Sequence, residues 1–372
     1  MMHVVLVPVF MEEFNLSLFQ VGLLVSIPLF CQVCTSIPSG LLADRVQHKS
    51  QMIASLILVV LAGFLVSRTS NFLMLIVSIS LVMISSQLYH PPMLSVVSEL
   101  FSPKHRSWAL GLHGTGGIVG MALGPISLGI LMKEFGWRSV YLLWVIPVLI
   151  LIVAVFLTKI LYGEEENGLA ERKKIGKRQD TTWYSGIFEV LKGGFLILLL
   201  VMGVRAVGMQ SVSTFFTTYL SSVKGIPVTD ASLIFGLGSL VGVAGTLTGG
   251  FFGGRLGEKM WITVAFTGSL LSILSVSLTP PWILVPSYLL YGYFNNSIMP
   301  VTTSLVARFS PKSRRGIAYA IFFLPFNAMG SIAPAIAAKI VEVFGIWYIF
   351  PFAIIMFLKS ITLIQMLETK NN

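Results

Sequence analysis

Long apolar stretches separated by short polar segments run along almost the whole chain. Most of these stretches are long enough to cross a bilayer as one helix, which takes about 20 mostly apolar residues. The pattern predicts a short apolar piece at 1–11 and then spans at 18–42, 51–66, 72–97, 107–132, 140–160, 193–220, 228–253, 261–278, 282–306, 316–341 and 347–366. We therefore predict an all-α integral membrane protein.

Landmarks at the ends of these spans occur twice, roughly 210 residues apart, as in transporters built from two parallel repeats. Phe101-Ser102-Pro103-Lys104 recurs as Phe309-Ser310-Pro311-Lys312, and Phe135-Gly136 recurs as Phe344-Gly345. Gly40, Arg45 and Lys49 recur as Gly250, Arg255 and Lys259. The duplication predicts two pseudo-symmetric six-helix bundles at 1–160 and 191–372, joined by a connector at 161–190.

The duplication also bears on the start of the chain. The offset maps Gly193, at the head of the seventh span, to a position before Met1. Met1–Met11 is about half the length needed to cross ~30 Å of hydrocarbon. We expect the first helix to be truncated at the N-terminus in this sequence, and an acid that couples transport to protons to lie in the missing part.

Composition and charge place the chain in the bilayer. Hydrophobic residues make up 55% and charged residues only 11%, whereas soluble domains carry about 25% charged residues. The net charge of +10 indicates no nucleic-acid partner, because the Lys and Arg residues concentrate in the loops of one side, which identifies that side as cytoplasmic. We expect a multi-pass protein of the cell membrane with a cytoplasmic connector and C-terminus.

The segment from Gly40 to Lys49, GLLADRVQHK, resembles the signature loop of the major facilitator superfamily, between its second and third helices. The sequence departs from the usual pattern at Gln47 and His48, and at Gly254 in the second copy. The resemblance implies two six-helix bundles that work by alternating access. We expect a charged network at the cytoplasmic rim to gate the two halves, formed by Asp44, Arg45, Glu99 and Arg106.

Small residues on the fifth span, Gly116, Gly120, Gly124 and Pro125, resemble the glycine-proline signature of the superfamily's exporters. Glycines four residues apart let another helix approach closely. We expect them to meet a matching glycine face on the eighth span, formed by Gly238, Gly242, Gly245, Gly249 and Gly253. Generic packing of small residues is the alternative.

Polar and aromatic groups inside the spans are candidates for substrate contact. Tyr89-His90-Pro91 resembles the fosmidomycin-resistance type of drug exporter, although His90 in a helix is as often only hydrogen-bonded in place. By the same resemblance, helices one, four, seven and ten line the cavity. The predicted substrate-binding set is Arg205, His90, Tyr89, Gln87, Gln210, Tyr293, Asn296 and Asn327, with Asn295, Tyr291, Phe322 and Phe323 nearby.

The most specific of these hypotheses concerns Arg205. It lies near the middle of the seventh span, where an arginine costs about 2.5–3.5 kcal/mol on insertion scales and usually faces a cavity or a partner. Its guanidinium suits an anion held by two parallel hydrogen bonds, with Gln210, Tyr293 and Asn296 completing the site. The alternative is an arginine satisfied by helix carbonyls and amides, or by an acid on the missing part of the first helix.

No catalytic constellation or nucleotide-binding loop stands out, so we expect no enzyme and no cofactor. The CxxC spacing of Cys31 and Cys34 lacks a second ligand pair, which predicts no metal site. The sequence favours a monomeric, ion-coupled exporter (an antiporter) of a small organic compound, anionic if Arg205 contacts it, with a proton as the coupling ion. Uptake of an organic anion and a transport-inactive, receptor-like membrane protein are the alternatives.

Overall fold

A computed structural model describes residues 2–100, 103–157, 193–309 and 315–367. The side chains of 37, 41, 43–45, 91–92, 94–95, 98–100, 103–111, 307, 315–317 and 319–320 lie outside this description. The described residues are almost entirely helical. The helices are α1 Met2–Val5, α2 Val7–Phe14, α3 Leu18–Arg45, α4 His48–Ser67, α5 Phe72–Leu100, α6 Pro103–Leu157, α7 Gly194–Ser222, α8 Val228–Leu256, α9 Glu258–Leu278, α10 Pro281–Phe309, α11 Arg315–Phe344 and α12 Ile349–Gln365.

These helices match the predicted spans to within a few residues at their ends. Within the described ranges, nine helical segments are long and apolar enough to cross a membrane. One of them, Leu112–Leu157, contains two spans, because the backbone leaves the helical conformation at Gly136. The more polar α10 has 29 residues and is about 43 Å long at 1.5 Å per residue. The predicted all-α membrane fold is confirmed.

The duplication seen in the sequence extends to the backbone. Gly136 has φ 71° and ψ 157°, and its repeat Gly345 has φ 98° and ψ 161°. This region of backbone space is open almost only to glycine. Each glycine ends one span and starts the next, which explains why Phe-Gly occurs at the same place in both halves.

The repeated lysine of the signature loop has the same task in both halves. Lys49, at the start of α4, donates from Nζ to the carbonyl oxygen of Phe156 at 3.0 Å. Lys259, at the start of α9, donates to the carbonyl oxygens of Gln365 at 2.7 Å and Leu367 at 3.0 Å. Each lysine thus binds the C-terminal carbonyls of the last span of its half, where a cation also interacts favourably with the helix dipole.

Contacts divide the chain into two compact units that interleave along the sequence. The first unit contains Met1–Ser26, Gly117–Ile130 and Tyr184–Asn372, and the second contains Ile27–Gly116 and Leu131–Trp183. The first unit therefore includes the N-terminal segment and part of α6 together with the C-terminal half. Its central helix is α7, which contacts α1, α2, α8, α10, α11 and α12.

The glycine stripe of α8 was expected to face the fifth span, but it faces α10 instead. A Cβ added at Gly245 would meet the backbone oxygen of Tyr293, and one at Gly249 would meet that of Ser297. Both partners lie on α10. The physical reason is that a stripe of this length permits contact between two backbones, and α8 packs on α10 through it from Gly238 to Gly253.

The contact between the fifth span and α8 is made by a different face. A Cβ at Gly129 would meet Leu233 and the carbonyl oxygen of Thr229, and one at Gly236 would meet Ala122 and Ile126. Gly124 lies beside the side chain of Met2. Around Gly116 and Gly120, no described atom lies within 4 Å of an added Cβ, so their packing role stays a prediction.

Candidate functional site

A buried arginine in the middle of the first unit is the most unusual polar feature that the structure describes. Arg205 lies on the central helix α7 and has only 2% of its surface exposed. Burial of an ionised group in an apolar interior is unfavourable unless partners satisfy it. The partners of Arg205 come from α10 and α11.

The contact with α10 is made by one nitrogen of the guanidinium. Nη2 of Arg205 donates to the backbone oxygen of Asn295 at 2.6 Å and to the side-chain oxygen Oδ1 of the same residue at 3.0 Å. Asn295 is itself buried. Both acceptors of Nη2 thus belong to this one asparagine.

Other donors of the same group remain unsatisfied among the described residues. Neither Nε nor Nη1 of Arg205 has a hydrogen-bond partner there, and the same holds for the hydroxyl of Tyr291. Tyr291 precedes Asn295 by one helical turn, so both residues lie on the same face of α10. The ring of Phe326 on α11 stacks near the guanidinium, with 5.6 Å between Cζ of Arg205 and the ring centroid.

The junction of α7, α10 and α11 therefore holds one positive charge and several hydrogen-bond donors that have no acceptor among the described residues. Within the described part of the chain, no carboxylate pairs with Arg205. A buried donor without an acceptor costs about 1–3 kcal/mol, and more when it is charged. Chemically, the site can accept a group rich in hydrogen-bond acceptors, and its charge favours an anion.

The other predicted residues of the C-terminal half lie elsewhere. The hydroxyl of Tyr293 is 2.8 Å from Oγ1 of Thr248 on α8. Asn296 contacts α8 at Gly242 and donates to the carbonyl of Gly292 within its own helix. Both residues belong to the α8-facing side of α10, so they do not complete the Arg205 site in this structure. Their role in substrate binding stays a prediction.

Gln210 and Asn327 are near Arg205 and Phe326 in sequence but differ in surroundings. Gln210 is buried on α7, five residues beyond Arg205 and therefore about 140° further round the helix. Asn327 is exposed. Phe326, which the sequence analysis did not name, was missed because a phenylalanine inside an apolar span carries no signal of its own.

The candidates of the N-terminal half lie in the second unit. Tyr89 is partly buried and packs on the cluster of Met52, Leu56, Val96 and Val155. Its ring meets that of His90 edge to face at a centroid distance of 6.2 Å, and the His90 side chain is exposed. Gln87 is half-buried, and its backbone oxygen accepts a hydrogen bond from Ser39.

A polar contact in the second unit was missed because it lies at a predicted helix end. Gln51 is buried, and its Nε2 donates to the carbonyls of Ser39 and Leu88, each at 3.1 Å. One side chain thereby joins α3, α4 and α5. The proposed gating residues Asp44, Arg45, Glu99 and Arg106 lie on helices, but their side chains are outside the described residues.

Comparison with known sequences identifies the class of protein to which this chain belongs. The sequence pattern of the Major Facilitator Superfamily matches residues 1–281 and, in an overlapping match, residues 198–368. The chain belongs to the Major Facilitator Superfamily. It is therefore a membrane transporter and not an enzyme, as the resemblance at the signature loop indicated.

The chain is also similar in sequence to individual multidrug resistance proteins. The multidrug resistance proteins MdtG of Salmonella typhimurium and of Salmonella paratyphi A are each 25% identical to this chain over 338 residues. The match covers 88% of this chain and 80% of each relative. At this identity, similarity to MdtG leaves the direction of transport, the coupling ion and the substrate to be proposed.

Two solved transporter structures share the fold. A bacterial homolog of the human lysosomal transporter Spinster, crystallised inward-facing and unoccupied, matches with a TM-score of 0.78 at 15% identity, covering 98% of this chain and 93% of that chain. The peptide transporter POT in complex with sulfate matches with a TM-score of 0.76 at 17% identity, covering 99% and 92%. Identities this low establish the fold alone.

Proposed function

We propose that this protein is an ion-coupled exporter that moves a small organic compound out of the cell in exchange for protons. The observation that carries the proposal is the similarity to MdtG, a multidrug resistance protein, over 88% of this chain. The glycine-proline pattern of the fifth span supports the same direction. We also propose that the protein is a monomer, lies in the cell membrane and has a cytoplasmic C-terminus.

Close contacts in the first unit support alternating access as the mechanism. Gly22 of α3 lies against α11, where an added Cβ would be 2.7 Å from Cβ of Ala338. Gly129 lies against α8 in the same way. In the predicted topology, both contacts are at the extracellular ends of their helices. Helices that touch through small residues there can separate and expose a central site to the outside.

Substrate contact is proposed for groups on the fourth, seventh, tenth and eleventh spans. Arg205 provides a buried charge with unused donors. Tyr89, His90 and Gln87 contribute from the N-terminal half. Gln210, Tyr293, Asn296 and Asn327 complete the proposed set.

Transport into inverted membrane vesicles tests the proposal. Vesicles from cells that express the protein should accumulate its substrates when the lumen is acidified, since export from the cell corresponds to uptake into an inverted vesicle. Collapse of the pH gradient with an ionophore should abolish accumulation. Loss of preloaded compound under the same gradient would contradict export and favour uptake as the function.

Gating at the cytoplasmic rim is proposed for Asp44, Arg45, Glu99 and Arg106. A carboxylate at a helix junction near basic groups stabilises one state of the carrier over the other. We expect Asp44→Asn to lower the maximal transport rate several-fold while the apparent affinity for substrate changes little. Initial rates over a range of substrate concentrations separate the two. A large loss of affinity at normal maximal rate would assign Asp44 to the substrate site instead.

A further inference from the structure

The way in which Arg205 is bound limits what else it can bind. A guanidinium offers two parallel pairs of N–H bonds, one formed by Nε with Nη2 and the other by Nη1 with Nη2. Both pairs include Nη2, and Asn295 occupies Nη2 twice. The two-pronged grip on a carboxylate that the sequence analysis expected is therefore blocked as long as Asn295 stays in place.

The remaining donors still point to a ligand. Nε and Nη1 provide three N–H bonds that find no acceptor among the described residues. The hydroxyl of Tyr291 also has no hydrogen-bond partner there. These groups are buried and come from two different helices, α7 and α10. Three unsatisfied buried polar atoms at one junction are unusual, because buried polar groups are normally hydrogen-bonded.

The surrounding side chains indicate the chemistry of the ligand. The charge of Arg205 and the absence of a paired carboxylate in the described ranges favour an anion with oxygen acceptors. Phe326 lies over the guanidinium and is itself only partly buried. Tyr291 and Phe326 together offer aromatic surface to the non-polar part of a ligand.

We propose that Arg205, Tyr291 and Phe326 form the subsite for the oxyanion group, a carboxylate or phosphonate, of an organic substrate, and that Asn295 is the internal group that the oxyanion competes with. In this site one of the two free donors, Nε or Nη1, donates to the oxyanion first. The parallel two-bond contact forms only when Asn295 releases Nη2. The inference rests on the proposed transport function, whose substrate class it names.

Binding of benzoate to the purified protein tests the proposal without transport. Benzamide is the matched neutral probe, since it has nearly the same shape. At constant ionic strength, benzoate should raise the thermal unfolding midpoint saturably and benzamide should not. Arg205→Lys should require about tenfold more benzoate, because it loses charge-assisted hydrogen bonds. Tyr291→Phe should weaken the benzoate response without removing it.

Variants of neighbouring residues distinguish anion binding from a purely structural role of Arg205. Asn295→Asp places a carboxylate on Nη2 and should abolish the response to benzoate. Tyr288→Phe is the control, since Tyr288 lies on the same helix but stacks on Phe216 at a centroid distance of 3.8 Å. Its response should equal that of the unaltered protein. A purely structural arginine would lower the midpoint in the variants and leave the increment caused by benzoate unchanged.

Two outcomes overturn the proposal. One is that benzoate, inorganic phosphate and methylphosphonate all fail to stabilise the unaltered protein. The other is an equal benzoate response in Arg205→Lys, Tyr291→Phe and Asn295→Asp. Export of neutral or cationic compounds without anion binding would refute this subsite and leave the proposed function intact. Anion binding without any transport would refute the proposed function alone.

Discussion

Single side chains join the ends of distant helices in both halves of the chain. Lys49 and Lys259 stand at equivalent places in the duplicated loop, and each donates to carbonyl oxygens at the end of the last span of its half. The sequence predicted the repeat of these lysines but assigned the loop only to gating. The contact was not predictable, since its acceptors are backbone atoms more than a hundred residues away.

The lysine contact should contribute measurably to stability. We expect Lys259→Met to destabilise the folded protein by about 1–2 kcal/mol, because two charge-assisted hydrogen bonds and a favourable dipole interaction are lost. Thermal unfolding in detergent measures the change. Lys359→Met is the control, since Lys359 is an exposed lysine of α12, and it should leave the midpoint nearly unchanged. Equal shifts in both variants would mean that loss of charge, not of the contact, is responsible.

The choice between Asn295 and Asn296 shows where sequence reasoning about the site stops. Adjacent helical residues differ by about 100° in direction, so only one of them can face Arg205. The sequence alone does not determine the register of α10, and it favours Asn296 together with Tyr293 for the site. The glycine stripe of α8 decides the register, because it holds the face with Tyr293 and Ser297 and thereby turns Asn295 towards α7.

At the scale of elements, the packing of α8 on α10 depends on the absence of side chains. Gly292 of α10 approaches the backbone oxygen of Gly238 as closely as Gly245 approaches that of Tyr293. The stripe was recognised in the sequence, but its partner was wrong. Small residues indicate that a helix comes close, while the identity of that helix depends on contacts distant in sequence.

Substitution within this stripe should be costly in a position-dependent way. Gly245→Ala should destabilise the protein by about 2 kcal/mol or more, because the added methyl group meets a backbone atom that cannot rotate away. Gly254→Ala, on the same helix with no described atom within 4 Å, should be neutral or slightly stabilising. The amount of folded protein that survives heating, measured by size-exclusion chromatography, compares the two. Equal survival would refute the close contact.

At the scale of the whole molecule, the spans were predictable from local hydrophobicity, and the duplication was predictable from short motifs that recur in both halves. The helices at Leu18–Arg45 and Val228–Leu256 begin at the predicted residues. The interleaving of the compact units was not predicted. It depends on Met1–Ser26 and Gly117–Ile130 packing with the C-terminal half, through tertiary contacts such as those of Gly22 and Gly129.

Transport by the purified protein in liposomes tests the central claim most directly. The account predicts counterflow, in which liposomes preloaded with an unlabelled substrate transiently accumulate the labelled compound. An imposed pH gradient should then drive net movement of substrate against the flow of protons. Arg205→Gln should abolish both for anionic substrates. A compound that binds the protein but shows neither counterflow nor proton-driven movement would contradict the account and identify a receptor-like protein.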